Sequence, residues 1–227
     1  RFANIFTLGN LNLTPALMVK PSGLRRQVQS IFATTTFDLD DKIYLDLTAR
    51  NDWSSTLAFT PKASSGYPYF SAGLNTIITD LVTLPAFFNY GKLRLSYAKV
   101  GNDVAPYATL PTYTVVSGNY GSIQAGPYKG ATLKPEDTRS MEIGTEWKMM
   151  NNRLSIDFTW YKSNTKDQYF EFSAPLGSGL SKFFVNAGDI ENKGIELALS
   201  YDVIRNSNMR WTSALNLTRN RNKVLKL

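Results

Sequence analysis

The 227-residue sequence predicts an all-β chain of antiparallel strands running up and down. Two patterns carry that prediction. Apolar and polar residues alternate with period two in eight segments, which divides their side chains between two sheet faces. The connections also sort by length: if the chain runs up and down, short turns fall at one end and long segments at the other.

Arg25–Phe37 is the first strand, with weak alternation, and Asp38–Asp41 is a turn of the Asp-rich kind that hairpins use. The second strand sets Ile43, Leu45, Leu47 and Ala49 against Tyr44, Asp46, Thr48 and Arg50. A long segment, Asn51–Pro68, leads to a third strand at Tyr69–Thr76. Ile77–Gly91 links it to the fourth and holds one or two helical turns. It is the long exception on the short-turn side. In the fourth strand Leu93, Leu95 and Tyr97 oppose Arg94, Ser96 and Ala98. Gly101–Ser140 is a second long segment, followed by a fifth strand at Met141–Met149 and the turn Met150–Asn152.

The sixth strand is the clearest, with Leu154, Ile156, Phe158 and Trp160 against Ser155, Asp157, Thr159 and Tyr161. A third long segment, Ser163–Asn192, leads to Ile195, Leu197, Leu199 and Tyr201 against Glu196, Ala198, Ser200 and Asp202. The turn Ile204–Asn208 precedes the eighth strand, where Trp211, Ser213, Leu215 and Leu217 oppose Thr212, Ala214, Asn216 and Thr218.

No apolar run is long enough for a membrane-spanning helix; the best, Ile77–Phe88, is interrupted by Asp80 and Pro85. A β-barrel leaves no such peak, and its short periplasmic turns and long extracellular loops match the sorting seen here. Trp147, Tyr201 and Trp211 lie on the apolar face near short-turn ends, and Trp160 lies at a long-loop end, as rings at two lipid–water interfaces would. The competing fold is a soluble β-sandwich that binds carbohydrate through Tyr-rich loops. It requires the apolar face to meet a second sheet.

Composition removes several chemistries. With no Cys and no His there is no disulfide framework, Cys/His zinc site, thiol nucleophile or His-based triad. The carboxylate pairs Glu136-Asp137 and Asp167…Glu171 have no catalytic context, and Gly188–Gly194 lacks the ligand spacing of a calcium loop. The chain reads as a non-enzyme without metal or cofactor. Net charge is +7, but no RNA-binding or oligonucleotide-fold signature accompanies it, so nucleic acid is not an expected partner. Arg219, Arg221, Lys223 and Lys226 would lie at the extracellular rim, against anionic outer-membrane lipid. The chain opens Arg1-Phe2-Ala3-Asn4 without a start Met, which suits a mature protein or a piece of a longer one.

Six stretches carry a resemblance. They are Asp40–Leu57, Lys92–Asp103, Leu133–Glu136, Asn151–Leu154, Asn186–Leu197 and Trp211–Leu225. In this order they resemble the SusC/RagA family of TonB-dependent outer-membrane transporters. The resemblance implies an incomplete portion, about eight strands, of a large plugged barrel of the 22-stranded kind. Residues 1–227 would all belong to the barrel domain, with the plug and TonB-contacting segment outside this sequence. It implies a Gram-negative, Bacteroidota-like outer membrane and import of oligosaccharides or peptides driven by TonB–ExbB–ExbD. A SusD-like surface lipoprotein would cap the mouth.

Such a lumen needs many weak, reversible hydrogen bonds, which hydroxyls and amides make without the desolvation cost of fixed charge. Candidate substrate contacts are Tyr107, Tyr113, Tyr120, Tyr128 and Tyr169 in the long segments, with Arg94 and Asp157 on the polar wall. A Tyr ring can stack on a sugar while its hydroxyl bonds a neighbour. The plainer role for any single Tyr is to steady a long loop.

Overall fold

The computed structural model describes residues 23–116, 119–128, 132–175, 177–178 and 181–227. Its ten strands form one sheet. Eight of them make a continuous antiparallel wall: β1 (Val28–Leu39), β2 (Ile43–Ser54), β3 (Tyr67–Ile77), β4 (Phe88–Val100), β7 (Asp137–Met149), β8 (Leu154–Ser173), β9 (Lys182–Arg205) and β10 (Arg210–Lys226). The remaining two, β5 (Thr112–Val116) and β6 (Asn119–Pro127), form a hairpin that joins the outer end of β9 through a short parallel pairing. A 3-10 turn at Ser55–Leu57 and the one-turn helices α1 (Lys62–Ser65) and α2 (Ile78–Leu81) complete the elements. The wall is an open arc, since β1 and β10 do not pair with each other.

The short turns close as their composition predicts. Asp40, Asp41, Met150, Asn151 and Asn152 all adopt positive φ between 54° and 60°, the left-handed region that Asp and Asn tolerate best. In the last turn the Asn206 side chain accepts from the backbone N–H groups of Asn208 and Met209.

The eight strands read from the sequence are the eight wall strands. Two of the long segments differ from expectation. Within Gly101–Ser140 the chain builds the β5–β6 hairpin, and Ser163–Asn192 is mostly strand. β8 has 20 residues and β9 has 24, whereas a tilted strand crosses a bilayer in about 9–11. Roughly half of each therefore stands beyond the apolar band. Both faces of these extensions are polar or protein-covered, so the alternation that marks a wall strand fades there.

Register fixes the faces, because residues directly opposite across an antiparallel pair project to the same side. Ile143, Trp160 and Ile195 are partners, as are Thr145, Phe158 and Leu197. No second sheet covers this apolar face among the described residues, which removes the sandwich. The buried core lies instead at the long-loop end, on the polar face. Leu57, Tyr67, Val104, Ala108, Ala125, Leu133 and Phe184 pack there with Tyr69 and Tyr169 against them. The loops fold inward over the polar face, which makes it the lumenal one.

Candidate functional site

The lumenal face is built from small polar side chains. One register row carries Thr34, Thr48, Ser71, Ala98, Ser140, Ser163, Asn192 and Asn222, one residue from each wall strand. Seven of these eight bear a hydroxyl or an amide. Below this row sits the main charge cluster. Arg94 Nη2 donates to Asp157 Oδ1 at 2.7 Å and to Thr159 Oγ1 at 3.4 Å, and Nη1 lies 3.9 Å from Glu146 Oε2. Gly144 makes room for the guanidinium: a Cβ there would lie 2.9 Å from Arg94 Nη2.

Above the row, four of the stretches that carry the family resemblance knit into a platform. The Ser54 hydroxyl donates to Asp103 Oδ2, Thr56 Oγ1 donates to the same oxygen at 2.9 Å, and Arg26 Nη2 reaches Oδ1 at 2.8 Å. The Asp103 side chain is only 3% exposed, so these donors are its solvation. The Asn186 amide accepts from Lys134 N and donates to Lys134 O, both at 2.8 Å, which lets one side chain pair like a strand. Glu136 N donates to Asn102 O at 2.8 Å, and Glu136 Oε1 accepts from Tyr169 N at 3.0 Å.

The platform borders a hollow of about 570 Å³. Arg50, Asp52, Tyr67, Tyr69, Lys99 and Asp103 are among its lining residues. Tyr67 and Tyr69 meet edge to face with centroids 5.2 Å apart, and Tyr69 Oη donates to Gly101 O at 3.0 Å. Arg50 Nε is bound to Asp52 Oδ1 at 2.5 Å. The hollow thus offers aromatic edges and hydroxyls, with its charges already paired. Among the described residues, no group of three or more Asp and Glu is placed to hold a metal ion.

The structure brings Arg94 and Asp157 together on the wall and disperses the tyrosines. Tyr107 is exposed with φ +65°, and its hydroxyl accepts from Arg25 N at 3.4 Å. Tyr128 is exposed with its ring 4.9 Å from that of Phe183. Tyr169 packs 5.5 Å from the Phe184 ring, and its hydroxyl donates to Glu171. The backbones of Tyr113 and Tyr120 belong to β5 and β6, while their side chains lie outside the described residues. Sequence reasoning missed the hollow. Its residues come from the strand ends just past Arg50 and Lys99, where alternation stops, and only their presence in the resembling stretches marked them.

Beyond the apolar band, Lys182 Nζ lies 2.8 Å from Glu171 Oε2 and ties the outer ends of β8 and β9. That hydrogen bond holds the Glu171 carboxyl below the usual carboxylate range.

A single sheet with one bare apolar face, a polar lumenal face, short turns at one end and folded loops at the other is the wall of an outer-membrane β-barrel. The sequence model of the family described as "TonB dependent receptor-like, beta-barrel" matches residues 4–224, and the chain belongs to that family. Its place is the outer membrane of a Gram-negative bacterium. TonB-dependent receptor P3 of Formosa agariphila is 29% identical over 227 residues, covering 93% of this chain and 22% of that protein. TonB-dependent receptor SusC of Bacteroides thetaiotaomicron is 24% identical over 215 residues, covering 89% and 21%. The solved structure of the RagAB peptide transporter superposes with a TM-score of 0.75 at 24% identity, over 89% of this chain and 22% of that one. The chain spans about a fifth of the length of these relatives.

Proposed function

We propose that these residues form part of the wall and extracellular mouth of a TonB-dependent importer of oligosaccharides or peptides. In this reading residues 1–227 all lie in the barrel domain. The plug, and the segment that engages TonB–ExbB–ExbD, lie elsewhere in the whole protein. A SusD-like surface lipoprotein closes the mouth and shares substrate capture. The observation that carries the reading is the lumenal row of hydroxyls and amides that runs across all eight wall strands. Such groups bind sugars and peptide backbones weakly enough to release them. The ion-paired Arg94, Asp157 and Glu146 add polarity while leaving little unpaired charge to hold a neutral solute. The names of SusC and of the RagAB peptide transporter support the choice of solute classes.

The test is uptake of labelled oligosaccharides and peptides by cells carrying the full-length protein, with and without a functional TonB system. Accumulation of one class that disappears without TonB is the expected result. Uptake that persists without TonB, or a full-length protein that needs no detergent, would overturn the reading.

A further inference from the structure

We propose that a stripe of five cations on the outer surface binds the phosphate groups of an anionic glycolipid in the outer leaflet. The proposal rests on the apolar face being the lipid-facing one. Three successive rows of that face show how the stripe arises. The first row is apolar through Leu45, Leu74, Leu95, Ile143, Trp160 and Ile195, and turns cationic only at Arg219 on β10. The next runs Leu47, Ala72, Tyr97 and Met141, then turns cationic at Lys162 on β8 and Lys193 on β9. The third holds Ala49 and Phe70 before Lys99 on β4 and Arg139 on β7.

On each of five adjacent strands, therefore, the outward residue next beyond the apolar band is Lys or Arg. The boundary steps across the register rows from β4 to β10. Strands tilted by about 35–45° require that slant if the boundary is to stay level with the bilayer surface. A stripe that follows the tilt lies at one height. The rows place it on the long-loop side, at the outer leaflet.

Three carboxylates share this surface, and they leave a cationic surplus. Glu191 is held by Lys162 at 2.9 Å and by Lys193 at 2.8 Å. Asp137 is held by Lys99 at 3.4 Å and by Arg139 at 3.1 Å, and Asp189 by Lys166 at 3.6 Å. Arg219, Arg221 and Lys223 make no ion pair among the described residues, and all three are exposed. The surface also has relief. A hollow of about 320 Å³ is lined by Arg139, Lys162 and Lys166 beside Tyr97 and Met141. A second of about 240 Å³ is lined by Lys193, Arg219 and Arg221 beside Trp160 and Ile195. Each sets cations against apolar groups at the band edge, which suits a phosphorylated headgroup whose acyl chains continue down the wall.

The experiment uses the full-length, delipidated protein titrated in detergent with lipid A in its phosphorylated and dephosphorylated forms, read by native mass spectrometry. Wild-type protein should bind the phosphorylated form at least tenfold more tightly. A basic residue near an anionic surface is worth roughly fivefold in binding. K162Q/K193Q should therefore erase most of the preference. E191Q should act in the opposite direction, because it releases two lysines while keeping a side chain that can bond them. Equal affinity of wild type for both lipids, or a preference unmoved in both variants, would overturn the stripe. Failure to bind either lipid would instead overturn the lipid-facing assignment on which it rests. Retained heat-modifiable migration of each variant shows that the barrel has folded.

Discussion

Replacing Asp103 with Ala should loosen the extracellular platform while leaving the wall intact. Three donors converge on this carboxylate, and two of them, on Ser54 and Thr56, are 5% and 2% exposed. Hydrogen bonds to charged groups are worth about 1.5–3 kcal/mol, and stranding a buried donor costs about 1–3 kcal/mol. The losses are tempered in two ways. Arg26 is half exposed and rehydrates. Ser54 and Thr56 remain 2.9 Å apart and can bond each other, so one hydroxyl is left without a partner. A local loss of about 2–4 kcal/mol follows. By local opening, amide exchange in residues 54–66 and 101–110 should speed up by roughly 30- to 900-fold in the full-length protein, with the wall strands unchanged. D103N, which keeps the shape and one acceptor, should lose about 1 kcal/mol. Exchange in both segments within threefold of wild type for D103A would refute the idea that Asp103 locks them together.

The two faces should differ sharply in tolerance. F158R should cost about 2–4 kcal/mol in folding into bilayers. A198R, on the lumenal face opposite Asp157, should stay within about 0.5 kcal/mol of wild type by the same titration. At Gly194 a Cβ would lie 2.5 Å from Arg219 O and 2.6 Å from the Tyr161 hydroxyl. G194A should therefore destabilise the barrel by about 1–3 kcal/mol, and Y161A should not rescue it, because the nearest atom is backbone. The Glu171 carboxyl titrates below its unfolded value, so its tie to Lys182 is full above the usual carboxylate range and is lost as pH falls through the depressed value. Exchange protection at the outer ends of β8 and β9, corrected for intrinsic rates, should drop on acidification in wild type and become nearly pH-independent in E171Q.

The wall was legible because lipid and lumen impose opposite chemistries on neighbouring residues. Leu154 to Tyr161 records that alternation residue by residue, and the structure keeps it. Where neither face meets lipid, the signal fades. In Ser163–Ser173 both faces are polar until Phe170 and Phe172, so half of β8 read as loop. The β5–β6 hairpin was hidden for the same reason, within a Gly-, Ser- and Tyr-rich segment. Arg94 and Asp157 could be placed on the polar wall from parity, but their 2.7 Å pairing depends on a register of strands 63 residues apart. The platform is a still longer-range feature. Asp103 is an ordinary loop residue until Ser54 and Thr56 arrive beside it from the end of β2. Tyr169 shows the converse: a promising loop tyrosine whose ring the fold packs against Phe184.

The most direct test of the lipid-facing wall is a nitroxide scan of residues 154–160 in the full-length protein, in native outer membranes and a background free of other thiols. The chain itself contributes none, since it has no Cys. Labels at 154, 156, 158 and 160 should relax strongly with oxygen and weakly with a water-soluble nickel complex, and labels at 155, 157 and 159 should show the reverse. Loss of that alternation, or its inversion, would contradict the barrel wall and every assignment built on its two faces.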